Sequence, residues 1–251
     1  MHNFISSDIE EFQALVRVQY ARAFERFTRL SAEAAEQLSL LEFENRTAAE
    51  CVAFAFWSKC VRSCQAAFLL AERGMVSDAQ SSLRGAIETL FHAVALIRKP
   101  ELLDRMREND DSEKKKQIER MLKHKDISEA LTNEGKARLQ PLLELPGKSS
   151  FSVWDAAGAA EMSHLYETIY RTLSQIAAHS TLTSLNHELL SKAEGKPELR
   201  FGPVEDQLEW TIDLTSECLA AGMHVMQAYA VEKRNYSASG NVVKIHLKSM
   251  S

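Results

Sequence analysis

Arg84, Glu88 and His92 stand four residues apart in the stretch LRGAIETLFHAVALI. On a helix each step of four turns only about 40°, so the three side chains line one narrow stripe. The rest of the stretch is apolar. Leu83, Ile87, Leu90, Val94 and Ile97 recur at helical spacing, and Ala86, Phe91, Ala93, Ala95 and Leu96 fill most of the remaining circumference. Such a helix is covered by neighbours on several sides, and a charge on it is costly unless paired and hydrogen-bonded. The stripe is therefore either a structural Arg84–Glu88 pair or one wall of a site, and the residues alone leave both open.

A second set lies in YETIYRTLSQIAAHSTLTSLNH. Tyr166, Tyr170 and Ser174 are successive i,i+4 neighbours on a polar stripe. His179 and Ser180 come at the helix end, with Thr181, Thr183 and Ser184 beyond. A helix C-terminus favours imidazolium, so the expected His179 pKa lies above about 6.5, suited to a general acid or a phosphate contact. The plainer alternative is a histidine that bonds a carbonyl across the corner.

Metal chemistry has little support in the spacing. Glu161 and His164 form one E-x-x-H, whereas a di-iron bundle needs two and further carboxylates. His164, His179 and His187 could share an ion only if their helices converged. Cysteines stand at 51, 60, 64 and 218, and their spacing matches no zinc pattern; Cys60 and Cys64, one turn apart, could hold a metal, but buried reduced thiols are the favoured reading. There is no Gly-rich phosphate loop, G-x-S-x-G or C-x-x-C. No cofactor and no metal are expected.

The elements that must position these residues read as helices. Nine Gly and five Pro in 251 residues leave few turns. Ser6 or Ser7 caps a first helix that runs to about Leu30, and residues 31–44 continue as helix. Thr47 caps a second, ended by Gly74. Ser77 caps the central helix and Pro100 stops it. Residues 101–140 form two or three short, partly exposed helices, with the charge run ENDDSEKKK as a solvated face or loop. Helix resumes near Val153, with a further one from about Leu182 to Lys192. PELRF is extended, and a long helix runs from about Glu205 to Glu232. Val243, Ile245 and Leu247 alternate with polar residues at strand spacing. The expected fold is all-α: a bundle of about seven to nine helices with a short C-terminal β element. Residues 1–235 make a single helical domain with 101–150 as a partly exposed insertion, and 236–251 form a tail.

Composition sets outer limits. Apolar content of 45% and charged content of 26% are ordinary for a globular protein. The formal net charge of −5 gives no general affinity for nucleic acid but does not exclude a local basic groove. No apolar run reaches 18 residues, and the N-terminus has no secretory pattern, so a cytoplasmic protein without a membrane span is expected.

Several of these pieces, taken together, resemble a known group. They are ERGMVSDA around Gly74, the R-x-x-x-E of Arg84 and Glu88, the Y-x-x-x-S-x-x-x-x-H-S-T of Tyr170 to Thr181, and the FGP of Phe201 to Pro203. They resemble a group of bacterial all-helical domains of unknown function over roughly residues 50–230, which in turn resembles the HEPN superfamily. That resemblance implies a compact helical bundle, a homodimer, and an effector of a stress or phage-defence system acting as a metal-independent RNA endonuclease. HEPN nucleases use an R-x(4–6)-H motif, whereas Arg171 and His179 here are separated by seven residues, about 80° apart on a continuous helix. In the implied chemistry His179 is acid or base, Arg84 or Arg171 holds the phosphate, Glu88 orients one of them, and Tyr170 or Ser174 donates a hydrogen bond. The competing expectation is a non-catalytic helical module that binds a cognate partner protein, a nucleotide or another small ligand.

Overall fold

A computed structural model describes residues 4–7, 9–41, 46–145, 149–178, 182–185, 189–191 and 197–238. The all-α expectation is borne out. The folding logic starts at Thr47. Its hydroxyl accepts from the Glu50 amide while the Glu50 carboxylate accepts from the Thr47 amide, a reciprocal cap that opens helix α3, Ala48–Glu72. Gly74, at φ +72°, closes α3: its amide donates to the Ala71 carbonyl and the next amide, Met75, donates to that of Leu70. A side chain at Gly74 would meet Pro203 at 2.7 Å, and the Val204 amide donates to the Gly74 carbonyl across that contact at 2.9 Å. Two distant motifs, ERG and FGP, are thus one corner of the structure. Phe4 reaches the same corner, its carbonyl accepting from Arg73 and its ring lying edge-on to Phe201.

Past the corner the chain returns as α4, Val76–Arg98, packed along α3. Leu83, Ala86, Leu90, Phe91 and Ala93 to Leu96 are buried, as a helix apolar nearly all round requires. The C-terminal helix, Leu208–Ala238, lies against α3, α4 and helix α2, Ala21–Ser39. Helix α8, Val153–Ala159, and a helical run over 163–178 cover the rest of α4.

Several expected boundaries are corrected. The first helix breaks at Tyr20 rather than near Leu30, giving α1, Ile9–Gln19, and α2. The Tyr20 hydroxyl donates to Glu205 at 2.7 Å, which anchors the break to the opposite end of the chain. The central helix starts at Val76, and Met75 rather than Ser77 is its cap. Of the two alternatives for ENDDSEKKK, the solvated face fits and the loop does not: it sits inside the 22-residue α5, Leu102–Lys123, where Lys114–Asp111 and Lys116–Glu113 pair at i,i+3. Helices α6, Lys125–Ala130, and α7, Asn133–Leu143, come next and bury nothing.

The helix expected over Leu182–Lys192 is a 3₁₀ turn, Thr183–Leu185, and a strand β1, Leu189–Ser191. Leu182, Leu185 and Leu189 are exposed. β1 pairs antiparallel with β2, Pro197–Leu199, with Leu189 opposite Leu199. The expected tail strand at Val243 to Leu247 lies outside the described residues. Counting the run 163–178 as one, the described residues hold ten helices.

Gly222 on the C-terminal helix has no room for a Cβ, which would overlap the Trp57 indole on α3, whereas Gly85 on α4 faces open space. Gly222→Ala is expected to destabilise the fold by about 1–3 kcal/mol through overpacking. Gly85→Ala is expected to stabilise it by roughly 0.5–1 kcal/mol through helix propensity. Denaturant titration of both variants checks the opposite signs.

Candidate functional site

The run 163–178 is helical but not uniformly so. Two successive π-helical turns, Tyr166–Tyr170 and Ser174–Ala178, flank one short α turn, Arg171–Leu173. A π turn inserts a residue and rotates the helix beyond it, and such turns occur frequently at functional sites. Tyr170 closes the first of these turns and Ser174 opens the second, and as i,i+4 neighbours both face α4.

Arg84 meets them from α4. Its Nε donates to Ser174 Oγ at 2.8 Å and its Nη2 donates to the Tyr170 hydroxyl at 2.6 Å. Its third nitrogen lies 3.5 Å from the Glu88 carboxylate. Tyr170 passes its own proton onward, donating to Glu88 Oε2 at 3.0 Å. Ser174 donates to the Tyr170 carbonyl at 2.8 Å, satisfying an acceptor in the irregular helix. The Arg84 guanidinium also lies over the Tyr170 ring, 4.7 Å from its centroid. Ser81, one turn earlier on α4, donates to the Ala177 carbonyl at 2.6 Å. Two donors of α4 therefore tie down the end of the run just before His179.

Four of the six expected site residues, Arg84, Glu88, Tyr170 and Ser174, form one connected polar cluster. Arg171 does not join it. One residue on from Tyr170 the helix has turned about 100°, and Arg171 pairs with Glu167 at 2.8 Å on the exposed side. His179 lies outside the described residues. The third member of the α4 stripe, His92, is held by its own helix: its Nδ1 lies 2.7 Å from the Glu88 carbonyl, and its ring sits between Phe56 and Phe151. Glu161 pairs with Arg98 rather than with His164.

The cluster is sheltered but not sealed. The side chains of Arg84 and Glu88 keep 25% and 34% of their exposure, while Tyr170 is buried. Burial, with the negative charge of Glu88 next and against the pull of Arg84, pushes the Tyr170 hydroxyl up to about 12. At neutral pH it is a proton donor and not a base. Both formal charges of the cluster cancel, so it presents a dipole with a solvent-facing edge.

Sequence reasoning did not assemble the aromatic groups that adjoin it. Tyr166 stacks on Tyr170 at 5.1 Å with planes 21° apart, and Trp154, on α8, stands edge-on to Tyr166 at 5.1 Å. Trp154 is 47% exposed. An aromatic ladder thus climbs from the Arg84 cluster to the surface. The i,i+4 spacing of Tyr166 and Tyr170 was the one local signal for it; Trp154 comes from another helix and gave none. A third group, Cys60, Cys64 and Cys218, gathers elsewhere in the core.

Removing Arg84 or Glu88 alone strands its partner, so the loss of stability in Arg84→Ala and Glu88→Ala should exceed additivity against the double variant. Given their partial exposure a coupling of about 0.5–1 kcal/mol is expected, and a double-mutant cycle by thermal melting measures it. Tyr170 adds a pH effect. A tyrosine whose folded pKa exceeds its unfolded value of about 10 contributes stability below that value and loses it as pH rises toward 12. Stability should therefore fall across that window, and Tyr170→Phe should flatten the fall. The share from Tyr20, raised to about 12 chiefly by its bond to Glu205, should remain.

Compared with known proteins, residues 50–197 match the model of a family of unknown function (DUF5677). No curated protein and no solved structure matches the chain.

Proposed function

Since the chain belongs to the DUF5677 family, whose function is unknown, we propose that it is a HEPN-like effector of a bacterial stress or phage-defence system, a metal-independent endonuclease acting on single-stranded RNA at the Arg84 cluster. The observation that carries this reading is the ladder Trp154–Tyr166–Tyr170, which ends on the guanidinium of Arg84. An exposed indole offers a face for an unpaired base, a contact that tolerates any sequence. The Arg84 cation lies below the indole across two rings, Tyr166 and Tyr170, and suits a phosphate further along the same strand.

The division of labour rests on the proton inventory. Tyr170 holds its proton at neutral pH, so it cannot abstract a 2′-hydroxyl proton, and its one O–H serves a phosphate oxygen only by turning away from Glu88. Arg84 stabilises the charge that develops on phosphorus. Glu88 fixes the orientation of both. The acid–base step falls to His179, and a homodimer would let a second His179 complete the pair. No divalent ion is required by this scheme.

A second reading keeps the site but not the chemistry: a module that binds a nucleotide, another small ligand or a partner protein. One observation favours it. All three nitrogens of the Arg84 guanidinium already have partners inside the cluster, so an incoming phosphate must displace one of them.

Expression of wild type and His179→Ala in bacteria, with growth and total RNA integrity recorded, separates the readings. The nuclease reading expects RNA loss in wild type, none in the variant, and no response to chelator. Intact RNA with wild-type protein removes it. Anisotropy with a fluorescent single-stranded RNA tests the ladder: Trp154→Ala should weaken binding roughly tenfold, the worth of one stacked base. Undiminished binding would sink the proposed surface. Light scattering should report a dimer at micromolar concentration; a monomer would leave the acid–base pair incomplete.

A further inference from the structure

The core holds a group of side chains that the proposed RNA site does not use. Cys60 and Cys64 lie one turn apart on α3, and Cys218 approaches them from the C-terminal helix. All three residues are buried, and their sulfurs lie within 4.8 Å of one another, with Cys60 and Cys218 at 3.8 Å. Cys51, on the same helix but only partly buried, is not among them.

We propose that Cys60, Cys64 and Cys218 form an all-sulfur binding site for a single soft, thiophilic metal or metalloid ion. Three-coordination fits the spacing. With metal–sulfur bonds of about 2.3 Å, an ion in the plane of three sulfurs needs them about 4.0 Å apart, between the 3.8 Å of Cys60–Cys218 and the 4.8 Å that bounds the set, and a pyramidal ion such as trivalent arsenic draws them closer still. The donor set selects for softness, since thiolates prefer ions such as monovalent copper, cadmium or trivalent arsenic over hard cations. No carboxylate or imidazole joins the group, so a tetrahedral zinc site lacks its fourth ligand among the described residues.

Charge narrows the class further. The groups that act on these sulfurs are one another and the Thr89 hydroxyl; among the described residues no cation stands by to offset buried negative charge. Burial, with the bond to Cys218, holds Cys60 well above the ordinary thiol range, and the bonds to Cys218 and Cys60, with burial, do the same for Cys64. Three thiolates around a divalent ion leave one net charge in the core, whereas three around a trivalent ion leave none. Arsenite meets this condition without an oxidant or reductant: As(OH)₃ and three thiols give As(SR)₃ and three waters, each thiol proton leaving with a hydroxide.

The test uses the full chain as Cys51→Ala, so that only these three thiols remain, reduced and titrated separately with arsenite and with cadmium chloride. The expected result is one ion per chain, a new sulfur-to-ion absorption in the ultraviolet, a raised melting temperature, and three sulfur neighbours at the arsenic or cadmium X-ray absorption edge. Cys218→Ala added to that background should abolish the absorption while helical circular dichroism is kept. Failure of both ions to bind, or binding that survives the loss of Cys218, overturns the proposal. If Cys218→Ala does not fold, the absorption edge of the Cys51→Ala protein decides alone: three sulfurs support the site and fewer reject it.

Discussion

A helix apolar over most of its circumference must be roofed on several sides, and α4 imposes that condition on the rest of the chain. One side is met locally, by turning back against α3 at Gly74. The others need segments from far along the sequence: α8, the run 163–178 and the C-terminal helix. Small residues at these contacts permit close approach. Ala156, Ala157 and Ala160 lie fully buried in and just after α8, and Gly222 gives way to the Trp57 ring. The C-terminal helix also buries Thr211, Thr215 and Ser216, whose hydroxyls donate to carbonyls one turn back in the chain and so carry no unpaired polarity into the core. Gln80, the buried polar residue on α4 near that helix, donates to Thr211 and Gln207.

Against that apolar background Arg84 is the exception, and its surroundings show how the exception is maintained. An arginine in such a helix would be expelled by desolvation unless every donor found a partner. Its partners come from two sources with different rigidity. Glu88 rides on the same helix one turn away, so that pair costs little ordering. Tyr170 and Ser174 ride on the 163–178 run as i,i+4 neighbours, so one face of that run delivers both to Arg84. The cluster thus ties α4 to the irregular run through side chains of both.

Much of this was legible in the residues, and the limits of legibility have physical causes. Helical spacing placed Arg84 with Glu88 and Tyr170 with Ser174, because i,i+4 neighbours meet on any helix regardless of what surrounds it. The Thr47 cap and the Gly74 stop were legible for the same reason: each is a local backbone problem with a local solution. The break at Tyr20 was not, since its cause is a bond to Glu205 at the far end of the chain. The turn and strand in place of a helix after Leu182 escaped because leucines at helical spacing say nothing about whether anything lies opposite them. Cys218 beside Cys60 and Cys64, and Trp154 beside Tyr166, are encounters between distant segments, which periodicity cannot register.

The same long-range closure has a consequence during synthesis. The α3–α4 hairpin can form as soon as it emerges, but the helix that covers it is made last; Gln80 waits 131 residues for Thr211. At about 5–20 residues per second the hairpin spends on the order of ten seconds with a broad greasy face turned to solvent or to the ribosome surface. The matched family stretch, residues 50–197, ends before that covering helix. A nascent chain of that length would therefore carry the Arg84 cluster in full and still be a client for chaperones.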